Sequence, residues 1–116
     1  MVEQIVPILK VSDTARSAEW YGRLGFEVEF EHRYSPEFPS YVGIVRNEQR
    51  MHLSEHAGDA TPDTLVYLFV DDVDTLASEL DAEVEEQAWA REIKLTDPDG
   101  NRLRIGTRIE AEVSGS

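Results

Sequence analysis

The stretch AWAREIKLTDPDGNRLRIGT, residues 88–107, decides how the rest of the chain is read. Two runs of strand-forming residues, 91–96 and 102–107, flank Asp97-Pro98-Asp99-Gly100-Asn101. Pro98 presets φ for the second position of a turn, Gly100 supplies a positive φ, and Asp97, Asp99 and Asn101 can bond back to nearby main chain. The segment therefore reads as a β-hairpin. Trp89 and Arg91 stand just ahead of it, two residues apart, so an extended chain would place the ring and the cation on one face.

Working back from the hairpin, residues 82–87 read as a strand, and residues 73–80 as a helix that buries Val73, Leu76, Ala77 and Leu80 behind an Asp71-Asp72 cap. Residues 65–70 form an apolar strand ahead of that helix. The same order occurs once before. Residues 5–11 (IVPILKV) read as a strand, and Pro7 within it donates no ladder hydrogen bond, which places it at a sheet edge or a subunit boundary. Ser12 or Asp13 caps a helix whose apolar face is Ala15, Ala18, Tyr21 and Leu24. Gly25 ends it in a left-handed conformation, with Phe26 folding back onto the helix. Phe26, Val28 and Phe30 then alternate with Glu27, Glu29 and Glu31, a half-buried strand with a wet acidic face. Residues 34–40, with Pro36 and Pro39, form a loop, and 41–45 and 50–54 are two strands joined by Asn47-Glu48-Gln49. Strand, helix, then two or three strands thus appears twice, a repeat of about 55 residues. The chain reads as a single domain over 1–109, with repeats at about 3–56 and 63–108 joined through 55–63, and a flexible polar tail at 110–116.

Composition narrows the function. A chain of 116 residues with 41% hydrophobic content builds one core, and the absence of cysteine excludes disulfides and thiolate metal sites. Formal charge is −13, from 24 acidic and 11 basic residues, of which only Lys10 and Lys94 are lysine. Such a surface repels phosphates and anionic lipid, so neither nucleic acid nor a membrane is expected as a partner. No segment has the length or composition of a leader or a membrane span, and a cytoplasmic protein is expected. The acidic surface attracts a cationic ligand, or else serves solubility in a salty cytoplasm; the even spread of the acids favours the latter.

Trp89-Ala90-Arg91-Glu92 followed by Asp97-Pro98-Asp99-Gly100-Asn101 and an apolar strand resembles the closing hairpin of the bleomycin-resistance proteins. These are members of the glyoxalase/bleomycin resistance/dioxygenase (vicinal oxygen chelate) superfamily. The opening Trp20-Tyr21-Gly22-Arg23-Leu24-Gly25-Phe26 is similar to the superfamily's aromatic helix and its Leu-Gly-Phe exit. The resemblance reaches about Arg108 and implies an α+β fold, two βαβββ repeats whose curved mixed sheets make a cup. It also implies a homodimer, often with the first strand exchanged.

Metal-dependent members of the superfamily hold a divalent ion with four His, Glu or Gln ligands. Those positions fall here on Val6, His52, Leu65 and Arg104. Val and Leu donate no lone pair and Arg stays protonated, so no metal and no cofactor are expected, and the chain leans away from being an enzyme. His52 is expected as a polar lining residue. By strand alternation Lys10, Tyr41, His52, Tyr67, Phe69 and Arg104 share the lined side of their sheets, although Tyr67 and Phe69 could equally be core. The resemblance adds Tyr41 and Trp89 as rings that sandwich a planar ligand, and Arg91 as their neighbour. No nucleophile triad spacing and no phosphate loop appears. The expected function is a metal-free protein that sequesters a bleomycin-like cationic aromatic antibiotic. An enzyme of the same fold, or a binder of an unrelated metabolite, is the alternative. Only about eight residues separate the second helix from Trp89, shorter than in the family, which thins one wall of the expected groove.

Overall fold

The computed structural model describes residues 3–109; the expected tail, 110–116, lies outside them. Ten elements follow in order: β1 (Ile8–Lys10), α1 (Thr14–Gly22), β2 (Glu27–Arg33), β3 (Ser40–Arg46), β4 (Gln49–Ser54), β5 (Leu65–Phe69), α2 (Val73–Leu80), β6 (Glu85–Glu86), β7 (Ala90–Thr96) and β8 (Arg102–Arg108). They form two four-stranded sheets, ordered β1-β4-β3-β2 and β5-β8-β7-β6. In each the first strand runs parallel to the last and lies at an edge. The fold is α+β, with one βαβββ topology used twice.

The chain divides into two compact units. One holds the residues up to Thr64 together with Thr96–Asn101, and the other holds Leu65–Leu95 with the chain from Arg102 onward. The first unit packs α1 on its sheet, enclosing Leu9, Tyr21, Leu24, Val42, Ile44, Met51 and Leu53. Asp13 starts α1 by accepting from the amides of Ala15 and Arg16. The buried face of the helix is Thr14, Ser17 and Tyr21, one residue out of phase with the expected Ala15 and Ala18. Counting back from Tyr21 at about 3.6 residues per turn reaches Ser17 and Thr14, where a strict three-residue spacing reaches Ala18 and Ala15; Glu55 accepts from the Thr14 amide at 2.9 Å and from the Ser40 amide at 2.9 Å. That phase buries Thr14 and leaves Ala15 exposed. Gly25, at φ 94°, closes the helix as expected, with the Phe26 amide on the Tyr21 carbonyl.

Two expected strands differ. Val28 and Phe30 do not share a buried face; both are exposed, and a bulge lies between them. Val28 registers with Ile44 but Phe30 with Gly43, so the pair falls on opposite sides of the sheet. The strand expected over 82–87 shrinks to Glu85–Glu86, because an acidic run offers no apolar alternation to bury.

The second unit packs α2 on its sheet around Leu68, Val73, Leu76, Ala77, Ile93, Leu103 and Ile105. Asp72 is its N-cap, accepting from the Thr75 amide at 3.1 Å. Thr107 ties β8 to the helix start, its hydroxyl accepting from the Val73 amide and donating to the Val70 carbonyl.

The turn of the closing hairpin is built by one aspartate. Asp97 Oδ1 accepts from the amides of Asp99 at 2.8 Å and Asn101 at 2.9 Å, and Gly100 takes φ 89°. Asp99 and Asn101, expected to bond back to the main chain of the same turn, reach across the first unit, and Asn101 also donates to Asp97 Oδ2 at 3.0 Å. Asp99 accepts from the Ser12 amide, while Asn101 donates to the Lys10 carbonyl and accepts from the Thr64 amide. Tyr21 donates to Asp97 at 2.8 Å, and burial first, then that bond, pushes its phenol far up.

Candidate functional site

In each unit the helix covers one side of the sheet, and the residues with chemistry lie on the other. In the second unit, alternation along β5 and β8 puts Tyr67, Phe69, Arg104 and Arg108 on that side, opposite Leu68, Leu103 and Ile105. The three rings of Tyr67, Phe69 and Trp89 form one cluster, with centroids 4.9 Å (Tyr67 to Phe69), 5.3 Å (Tyr67 to Trp89) and 6.4 Å (Phe69 to Trp89) apart. Trp89 remains 47% exposed, so its ring is a surface rather than core. The guanidinium of Arg104 lies 5.2 Å from the Tyr67 centroid and 5.9 Å from that of Trp89; Arg108 lies 4.1 Å from that of Phe69.

Beneath the rings sits a residue that the sequence reading did not single out. Glu92 is fully buried, on β7. Its carboxylate accepts from Arg104 Nη2 at 2.8 Å and Arg104 Nε at 3.1 Å, from the Tyr67 hydroxyl at 2.9 Å and from Gln87 Nε2 at 3.3 Å. Burial alone would raise the Glu92 pKa, but the bonds from Arg104 and Tyr67 outweigh it and hold the group below its ordinary value. Burial, then the bond to Glu92, pushes Tyr67 up to about 12. Gly106 makes room for this arrangement: a side chain there would collide with the Tyr67 hydroxyl. Alternation was the available signal, since Glu92 is the one acidic residue on β7 and lies between Ala90 and Lys94 on the sheet side opposite Ile93.

Arg91 does not join the rings. It pairs with Asp74 of α2 and with Glu86 at 2.8 Å, on the helix side of the sheet. Trp89 precedes β7, where the Gln87 amide bonds to the Ala90 carbonyl and bends the chain, so the alternation that would put Trp89 and Arg91 on one face does not extend back to it.

The first unit carries a second cluster. Phe30, Gly43 and His52 lie in register across three strands, and Tyr41 bonds His52 Nδ1 at 2.8 Å. Phe30 stacks 6.3 Å from Tyr41 and meets His52 edge-on at 5.3 Å, across the space that Gly43 leaves open. The bulge in β2 brings Phe30 here, which alternation alone could not show. Burial lowers the pKa of His52 and raises that of Tyr41. Lys10 donates to the carbonyls of Glu55 and His56.

Neither cluster suits a catalytic divalent ion. Among the described residues no three His, Asp or Glu side chains converge as metal ligands do. Val6 and Leu65 offer no donor, Arg104 is engaged with Glu92, and His52 Nδ1 is tied to Tyr41. What the two faces offer is rings, hydroxyls and guanidinium groups, the types of side chain from which small-molecule sites are generally built.

The sequence profile of the glyoxalase superfamily matches residues 1–112. The chain belongs to the glyoxalase superfamily. No curated protein matches this superfamily member by sequence. Among solved structures it is similar to a bleomycin-binding protein complexed with bleomycin, at 22% identity and TM-score 0.71 over 91% of this chain and 98% of that one. It is also similar to a glyoxalase-related enzyme from Clostridium phytofermentans, at 19% identity and TM-score 0.77 over 94% and 97%. A third is TnmS3, an antibiotic binding protein from Streptomyces sp. CB03234, at 19% identity and TM-score 0.71 over 94% and 99%. At these identities the likeness establishes the vicinal oxygen chelate fold for this superfamily member.

Proposed function

We propose that this chain binds and sequesters a bleomycin-like cationic aromatic antibiotic, without a metal or cofactor and without changing the ligand chemically. The observation that carries the reading is the half-exposed Trp89 ring lying against Tyr67 and Phe69 on the sheet side opposite the helix. Stacking a planar heterocycle on such rings contributes roughly 0.5 to 1.5 kcal/mol per ring pair beyond the area buried. Structures of a bleomycin-binding protein and of an antibiotic-binding protein with this fold support the class of ligand. In this reading Tyr67, Phe69, Trp89 and Arg104 hold the ligand in the second unit. Tyr41, His52 and Lys10 line the first, and Arg91 acts by steadying the segment before the hairpin. The protein works as a homodimer in the cytoplasm, and β1 at a sheet edge, with Ile5 and Ile8 exposed, is the element best suited to the contact.

Only Trp20 and Trp89 carry indole, so a fluorescence titration reads the site directly. With metal-free or copper-loaded bleomycin, wild type should show saturable quenching near one ligand per chain, lost in Trp89→Phe and weaker at high salt. Emission that stays flat at many micromolar ligand would sink the antibiotic reading.

A further inference from the structure

The charge of the whole chain and the charge of its aromatic face have opposite signs. Net charge is −13, yet the cations nearest the rings are Arg104 and Arg108, over Tyr67, Trp89 and Phe69. Arg104 is neutralised by Glu92 through its Nε and Nη2 edge. Among the described residues Arg108 has no carboxylate partner, and its guanidinium lies on the Phe69 ring. Each ring that a ligand cation would seek thus already has one of the protein's own cations within about 6 Å of its centroid. A second cation brought there meets like charge, whereas an anion meets an exposed planar fork of donors beside an apolar surface.

We infer that this face takes a planar ring carrying an anionic substituent of the carboxylate class, with the anion held by Arg108, and turns cationic substituents away from the rings. The inference rests on the reading of this face as the ligand face, and it assigns polarity to the ligand: the ring end is anionic, and cationic groups lie elsewhere, drawn by the acidic remainder of the surface. Arg108 is the residue that sets this preference, and Phe69 fixes where its guanidinium sits.

The test is equilibrium dialysis of the full chain against 2-naphthoate, 2-naphthamide and 2-naphthylmethylammonium, which share one ring system and differ in charge. Naphthoate should bind about fivefold more tightly than naphthamide, the upper end for an exposed ion pair, and the ammonium should bind most weakly. Arg108→Gln should erase the preference for naphthoate over naphthamide, and Arg108→Lys should restore part of it. Circular dichroism of each variant checks that the fold is intact. Binding of the ammonium as tight as that of naphthoate, an undiminished preference in Arg108→Gln, or no naphthoate binding at millimolar concentration would each overturn the inference. If naphthoate binds in the expected order while bleomycin does not bind, the antibiotic reading fails and this one stands. If bleomycin binds and the probe order is reversed, the outcome is the opposite.

Discussion

Replacing Glu92 with Gln removes one charge from beneath the aromatic face while keeping the shape of the side chain. The carboxylate is fully buried and accepts from Arg104, Tyr67 and Gln87. Removing one partner of a buried ion pair costs about 3 to 5 kcal/mol, since the other charge is left uncompensated. The Arg104 side chain keeps 33% of its exposure, so water recovers part of its solvation and roughly 2 kcal/mol remains. For a chain of this size that corresponds to a fall in Tm of roughly 8 °C. Urea and thermal unfolding at pH 7 measure it, and repeating them towards pH 3 tests the electrostatic origin. The folded-state pKa of Glu92 lies below its unfolded value, so its contribution is full above roughly pH 4.5 and is lost as pH falls through the folded-state value. Wild type and Glu92→Gln should therefore converge in acid. A double variant, Glu92→Met with Arg104→Met, should be more stable than Glu92→Gln, because no charge is left stranded. A loss under about 0.5 kcal/mol at pH 7, or a gap that persists in acid, would refute the account.

Other substitutions probe the remaining features. Gly106→Ala should displace the Tyr67 hydroxyl from Glu92 and cost about 1 to 3 kcal/mol by overpacking, seen in urea unfolding together with an altered Trp89 emission spectrum. Gly43→Ala should push Phe30 off His52; NMR should show the ring-current shifts of His52 lost while the fold survives. His52 should titrate below its ordinary value near 6.5 in an NMR pH series, because burial disfavours its charged form; titration above that value would contradict the half-buried setting. Asp97→Ala should be the most damaging change in the hairpin, about 3 kcal/mol or more by urea unfolding, since it strands the Tyr21 hydroxyl and the amides of Asp99 and Asn101.

The order of elements was legible in the sequence because it rests on local rules. Proline and glycine placed the closing turn, and Gly25 the first helix end; Ser12-Asp13 and Asp71-Asp72 marked the helix starts, which the structure narrows to Asp13 and Asp72. Alternation put Tyr67, Phe69 and Arg104 on one side of β5 and β8, without deciding whether the two rings were core. What escaped depends on partners far along the chain. The phase of α1 is the exception, set by the turn of about 3.6 residues counted back from Tyr21; a bulge sends Phe30 to the His52 side, and the bend before β7 separates Trp89 from Arg91. Glu92 was visible as a letter in the motif, but its burial needs Arg104, Tyr67 and Gln87 to be in place around it. Alternation along β7 gives the side of the sheet on which Glu92 lies, but not that meeting.

The tip of the last hairpin has a consequence for how the chain is made. Thr96–Asn101 belongs to the first compact unit, where Asp97 receives Tyr21 across 76 residues and Asn101 reaches Lys10 across 91. These are among the most non-local bonds of the molecule, and their loop-closure entropy must be met before they stabilise anything. A ribosome that has released only the first repeat has therefore delivered a sheet and a helix whose buried tyrosine still lacks its acceptor. The two repeats should not behave as separable halves: a cut in 55–63 leaves the amino-terminal piece without the clasp that completes it. Folding of the whole chain should wait on one of its last turns.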